Sequence, residues 1–184
     1  MHTYISVLRG INVSGKRVIK MDALKNSYAD LGFTNIRTFI QSGNVIFQFK
    51  KYDQKKVADM IKKKISDDYG FEVPVIVKDS DGLKNVIRNN PFLSNQDVDP
   101  SLLHVTFLSA IPSKSELDKL KEYDYSPDVF IVKEDIVYLY ISGGYGNTKL
   151  NNNFFENKLK VNATNRNWKT INELCRIAYN IGKD

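Results

Sequence analysis

The sequence predicts an α+β protein built from two halves of like design. Three observations carry that expectation. Residues 3–78 read as strand, helix, strand, strand, helix, strand; most of that order returns after residue 102; and an aperiodic stretch with two prolines, PFLSNQDVDPS at 91–101, separates the two runs. The first order is the split βαβ arrangement of ferredoxin-like domains. The expected organisation is a ferredoxin-like subdomain over residues 1–78, a helix and connection over 79–101, and a second ferredoxin-like subdomain with extra C-terminal helices over 102–184.

Residues 3–8 form the first strand, an apolar run rich in β-branched and aromatic side chains. Met21, Leu24, Tyr28 and Leu31 recur at spacings of three and four, which makes one apolar helix face, and Gly32 is the natural stop after it. Asn35–Ile40 and Val45–Phe49 read as strands joined by a turn at Gln41-Ser42-Gly43-Asn44. Asp53 reads as the cap of a second helix whose apolar face is Val57, Met60, Ile61 and Ile65, closed by Gly70. Val73–Val77 is the fourth strand, and a third helix covers Asp81–Arg88.

In the second half, Leu102–Leu108 reads as a strand. Ser113 and Glu116 make a capping box that opens a helix with Leu117 and Leu120 inward. Val129–Lys133 and Ile136–Ile141 form a hairpin across Glu134-Asp135. Two helices follow, near Asn153–Leu159 and Thr170–Ile181, the second opened by Thr170 with Glu173 and closed by Gly182. The halves share an order of elements but no residue-level repeat.

Composition narrows the function classes. A chain of 184 residues that is 42% hydrophobic suffices for one ordinary core or two small ones. Its net charge of +6 suits nucleic acid, phosphorylated small molecules or acidic partners. The single cysteine, Cys175, excludes an internal disulfide, and its place on an apolar helix face reads as buried and inert. With only His2 and His104 beside it, Cys and His supply no zinc-type ligand set, and no metal site is expected. No stretch approaches the roughly 20 apolar residues of a membrane span. The N-terminal residues lack a signal-peptide layout, so no membrane partner is expected and the cytoplasm is the expected location.

Four segments carry candidate chemistry. The connection after strand one, LRGINVSGKRVIKM, is about twice the usual two to six residues and holds Arg9 and Lys16 beside glycines. Main-chain N–H groups next to glycines form concave anion sites, and paired cations strengthen them. In the split βαβ order this connection lies at the same sheet end as the turn between strands two and three. Arg9, Asn12, Gln41, Ser42 and Asn44 should therefore converge there. The third segment is Gly143-Gly144-Tyr145-Gly146, followed by Lys149; it has the composition of a phosphate loop without the Walker spacing. The fourth, Ala163–Trp168, sets Arg166 and Asn167 beside the lone Trp168, which stacks on a base or, more commonly, anchors a terminal helix. Asp22, Asp53 and Glu116 are accounted for by helix starts, so no carboxylate pair stands out for acid–base hydrolysis.

The residues Leu8-Arg9-Gly10-Ile11-Asn12-Val13, Gly15-Lys16, Arg37-Thr38, Ile40 to Val45 (IQSGNV), Lys149-Leu150, Ala163-Thr164 and Arg166-Asn167-Trp168 resemble the bacterial family known as domain of unknown function 1697. The resemblance runs over nearly the whole chain. It implies an α+β fold of two ferredoxin-like subdomains and implies no activity or cofactor. Where that family is expected to carry paired glycines after Asn12-Val13, this chain has Ser14-Gly15.

Three functional readings remain open on the residues. The first is a site for a phosphorylated or otherwise anionic small molecule, a nucleotide among them, with transferase or ligase chemistry as the reaction class. Its ligand set would draw on Arg9, Asn12, Lys16, Gln41, Ser42, Asn44, Lys149, Arg166, Asn167 and Trp168. The second is a nucleic-acid-binding module, although no RNP1-like octapeptide occurs. The third is a protein-interaction or structural module. Cofactor and oligomeric state have no signature in the residues.

Overall fold

A computed structural model describes residues 1–122 and 124–182. Its strands are β1 (His2–Leu8), β2 (Thr34–Phe39), β3 (Asn44–Phe49), β4 (Val75–Asp79), β5 (Leu103–Leu108), β6 (Val129–Lys133), β7 (Ile136–Tyr140) and β8 (Ala163–Asn167). Its helices are α1 (Met21–Asp30), α2 (Gln54–Tyr69), α3 (Ser80–Arg88), α4 (Lys114–Asp118), α5 (Asn152–Leu159) and α6 (Trp168–Asn180). The strands form two four-stranded antiparallel sheets, ordered β2-β3-β1-β4 and β6-β7-β5-β8. The chain packs as two units, Met1–Asn85 with the segment from Glu173 onward, and Val86–Asn172. The α+β class and its two ferredoxin-like sheets are therefore as expected from the order of elements.

In the first unit, β1 is buried on both faces from Tyr4 to Leu8. Tyr4 and Leu8 join Val45, Phe47 and Val77 on the side covered by Leu24 and Tyr28 of α1 and by Val57, Ile61 and Ile65 of α2. Stacked Phe33 and Phe47, 4.3 Å apart, and edge-on Tyr28 fill the centre. Ser6 is a hydroxyl in this apolar layer. It is satisfied by Tyr28 Oη at 2.7 Å, and burial raises the Tyr28 phenol above its usual range. Asp53 caps α2 by accepting from the Lys56 N–H at 2.9 Å, and Gly70 ends it with φ +74°. β4 starts at Val75 and not at Val73. Pro74 has no N–H to give a ladder, and its carbonyl instead accepts from the Arg9 N–H.

The second unit repeats the plan. Leu108, Val137, Leu139 and Ala163 face Leu120, Phe155 and Leu159. Equivalent backbone bonds close the two sheets. Leu8 N–H donates to Gly43 O where Leu108 N–H donates to Asp135 O, and Arg9 N–H donates to Pro74 O where Ser109 N–H donates to Asn162 O.

Further expectations are corrected in the second half of the chain. The segment Ala163–Asn167, not among the expected strands, is the strand β8; it completes the second split βαβ unit, so α5 belongs to the repeat and only α6 is additional. Thr170 does not cap the last helix. α6 starts at Trp168, and the cap is Asn167, whose Oδ1 accepts from the Thr170 N–H at 2.8 Å. Cys175, expected to be buried, is only half-buried, and that burial raises its thiol above the usual value.

Candidate functional site

The repeat shows which connections are longer than their counterparts. Between β5 and α4 the chain takes five residues, 109–113; the equivalent β1–α1 connection takes twelve, 9–20. Between β3 and α2 it takes four residues, 50–53, against eleven, 141–151, between β7 and α5. The two long connections are the basic loop and the glycine-rich loop.

The basic loop is a small folded hairpin. Asn12 N–H donates to Arg17 O at 3.2 Å, and Lys16 N–H donates to Val13 O at 3.0 Å. At its tip Ser14 and Gly15 both have positive φ, +50° and +72°, the pattern of a tight two-residue hairpin turn. Gly10, Asn12 and Arg17 are also in the left-handed region. Asn12 fixes the root. Its Nδ2 donates to Ile19 O at 3.0 Å and to Gln41 O at 2.9 Å, while its Oδ1 accepts from the Ile19 N–H at 2.8 Å. The loop and the Gln41–Asn44 turn are thus tied directly, side by side at one end of the first sheet.

The facing turn is equally constrained. Gly43 has φ +76°, and a Cβ there would sit 2.7 Å from Leu8 Cβ and 2.9 Å from Ile11 Cδ1. Asn44 is fully buried; its Nδ2 donates to Phe39 O at 3.1 Å and to Ser42 Oγ at 2.9 Å. Ile40 has φ +51°, a conformation that a β-branched residue adopts only under constraint, and it is 51% exposed. Around this frame Arg9 and Ser42 are half-buried, while Lys16, Arg17, Lys20 and Gln41 are exposed. The amides of Asn12 and Asn44 therefore hold the two segments in shape, and the side chains of Lys16 and Gln41 face solvent beside them.

The remaining sequence-selected residues lie in the second unit. The glycine-rich loop is organised by a carboxylate: Asp128 accepts from the Ser142 N–H at 3.0 Å and from Thr148 Oγ at 2.6 Å. Exposed Lys149 borders a cleft of about 210 Å³ that also holds Asp124 and Asp128, so the charge there is mixed. Arg166 on β8 donates from Nη1 to Asn165 O at 2.8 Å. Burial strips water from its guanidinium and lowers its pKa to about 10, which leaves it cationic at neutral pH. Asn167 is the α6 cap, and Trp168, 8% exposed, is the first residue of that helix.

One constellation escaped the sequence. His104 Nδ1 lies 3.0 Å from Asn165 Oδ1, Asn165 Nδ2 donates to Thr106 Oγ1 at 2.9 Å, and Tyr145 stacks on the imidazole at 4.9 Å. Burial holds the imidazole below its usual pKa. His104 and Asn165 are 61 positions apart; only the β5–β8 pairing joins them, so no local spacing signals the contact.

Among the described residues no group of His, Cys, Asp and Glu could hold a metal ion, and no helix is long and apolar enough to cross a membrane.

Comparison with known proteins agrees with the fold. A family model described as a protein of unknown function (DUF1697) matches residues 1–138. No curated protein matches the chain. Among solved structures, the conserved bacterial protein SP0830 from Streptococcus pneumoniae is similar, with a TM-score of 0.70 at 20% identity, covering 96% of this chain and 98% of that one.

Proposed function

Taking as premise that this chain belongs to the DUF1697 family of proteins of unknown function, we propose that the β1–α1 connection of the first unit binds a small anionic ligand, a phosphorylated molecule or nucleotide. The observation that supports this reading is the difference in length. The same crossover is made with five residues in the second unit and twelve in the first, so the first carries seven more residues than its counterpart, and three exposed cations, Lys16, Arg17 and Lys20.

In this reading the residues divide between charge and frame. Arg9 and Lys16 neutralise the ligand's charge, and Gln41 and Ser42 hydrogen-bond its polar groups. Asn12 and Asn44 hold the two segments in register, so their contribution is to preorganise the site. Residues held in left-handed conformations by surrounding bonds cluster at ligand clamps, and Ile40 fits that pattern.

The test is a thermal-shift series with inorganic phosphate, pyrophosphate and nucleoside triphosphates at millimolar concentration. Wild type should be stabilised by at least one of them, and Arg9→Ala and Lys16→Ala should abolish the shift while keeping their own ligand-free melting point near wild type. No shift with any phosphate compound overturns the reading. Binding of mixed-sequence oligonucleotides that weakens steeply with salt would favour the nucleic-acid reading instead.

A further inference from the structure

The second unit carries a separate feature that the anion site does not use. Among the described residues β6 is an edge strand, paired with β7 alone. Its sequence, VFIVK, is apolar, and Val129 and Ile131 are 47% and 36% exposed. Edge strands normally carry charges, prolines or bulges that block pairing. Here Lys133 is the only charged residue, and its Nζ donates to Asn89 O.

The pairing register decides what the edge offers. The β6–β7 hairpin closes at Lys133↔Ile136 across two residues, so the pairs at Lys133, Ile131 and Val129 exchange hydrogen bonds with β7. The N–H and C=O groups of Phe130 and Val132 therefore point away from the sheet. That leaves two donors and two acceptors, two residues apart, in the geometry of a ladder awaiting a strand.

The same two residues aim their side chains at a cleft. Phe130 and Val132 line a cavity of about 460 Å³, closed on the other side by Leu117, Leu120 and Tyr125. A mostly apolar cleft of that size accommodates alternate side chains of an extended peptide, as grooves between an edge strand and a helix do. Its rim carries Lys114 and Lys121, with Asp118 paired to Lys121 at 2.8 Å. Among the described lining residues the charge is net positive, and so is the chain at +6.

We infer that β6 and the cleft beneath α4 form a docking groove for an extended peptide, apolar at alternate positions and acidic at its ends, which adds to the sheet as a fifth strand. The backbone groups of Phe130 and Val132 call for a strand, the cleft sets the apolar alternation, and the lysines select the acidic flanks. A second copy of this chain fits less well, because strand-to-strand pairing would bring both sets of rim lysines to one seam.

The experiment titrates the full chain with the peptide acetyl-Asp-Glu-Leu-Thr-Leu-Thr-Leu-Glu-Asp-amide and follows amide hydrogen exchange by NMR. Exchange of the Phe130 and Val132 amides should slow at least tenfold, with Ile131, already bonded to β7, unchanged. Val132→Pro removes one outward N–H and no β6–β7 bond, and should weaken binding about tenfold. On the wild-type protein, N-methylation of the peptide leucines should abolish protection, and lysines in place of the acidic ends should weaken binding. Three results would overturn the inference: no protection at millimolar peptide, equal protection by the N-methylated peptide, or protection that grows with protein concentration in the absence of peptide, which would identify a second copy as the occupant.

Discussion

Replacing Asn12 with alanine tests the frame on which the proposed site rests. The side chain makes three hydrogen bonds, of 2.8, 2.9 and 3.0 Å, at a half-buried position. At a net worth of roughly 0.7 kcal/mol each, the low side of the usual range because water reaches the site, their loss amounts to about 2 kcal/mol. Asn12 also has φ +56°, where alanine is disfavoured by about 1 kcal/mol relative to a residue that tolerates the left-handed region. The expected loss is about 3 kcal/mol. Urea unfolding followed by circular dichroism should show a lower midpoint, and the Ile19 amide, which donates to Asn12 Oδ1, should lose its exchange protection. Asn12→Gly removes the bonds without the backbone strain and should lose about 2 kcal/mol, so the two variants separate the contributions. A loss below about 0.5 kcal/mol in Asn12→Ala, with Ile19 still protected, would refute the assignment of Asn12 as the tie between loop and turn.

Other changes probe neighbouring parts of the molecule. Gly43→Ala combines a left-handed backbone with a Cβ 2.7 Å from Leu8 Cβ, and should cost about 3 kcal/mol in urea unfolding; a near-neutral result would mean the turn relaxes freely. Asp128→Ala should destabilise by about 2 kcal/mol and make the 143–147 loop more sensitive to limited proteolysis, since the carboxylate holds Ser142 and Thr148. His104 should contribute a pH dependence. Burial holds its pKa below the ordinary value of about 6.5, so the unfolded chain takes up the proton first. Its stabilising contribution is present above about pH 6.5 and is lost as pH falls through the lower folded value. Unfolding midpoints measured from pH 7.5 downward should fall more steeply in wild type than in His104→Gln; parallel curves would contradict the assignment.

How far the sequence alone reaches depends on how local the signal is. Helix stops and caps were legible because each is a short-range rule: Asp53 opening α2, Gly70 closing it, and Ser113 with Glu116 opening α4 all appear in place. Strands β1, β3, β5 and β7 were legible because their apolar, β-branched runs leave no other use for them. The convergence of the Arg9–Asn12 segment with the Gln41–Asn44 turn followed from strand order, since a split βαβ sheet sets β1 beside β3 and brings those two connections to one end.

What only the tertiary structure decided is whatever depends on partners distant in the chain. β8 is Ala-Thr-Asn-Arg-Asn, a polar run with little strand propensity, and it is a strand because β5 offers it an open edge. The helix α6 consequently begins two residues earlier than its Thr170 suggested, with Asn167 at the strand's end serving as its cap. Asn12 and Asn44 read from the sequence as ligand-directed amides; in the fold their hydrogen bonds run to backbone and to Ser42, groups whose proximity no local rule encodes. Composition and periodicity determined the class of fold and the places where it is elaborated. Which polar side chains hold the frame and which face solvent was settled by packing, because a hydrogen bond is made by whatever group the fold brings within 3 Å, however far away it lies in the chain.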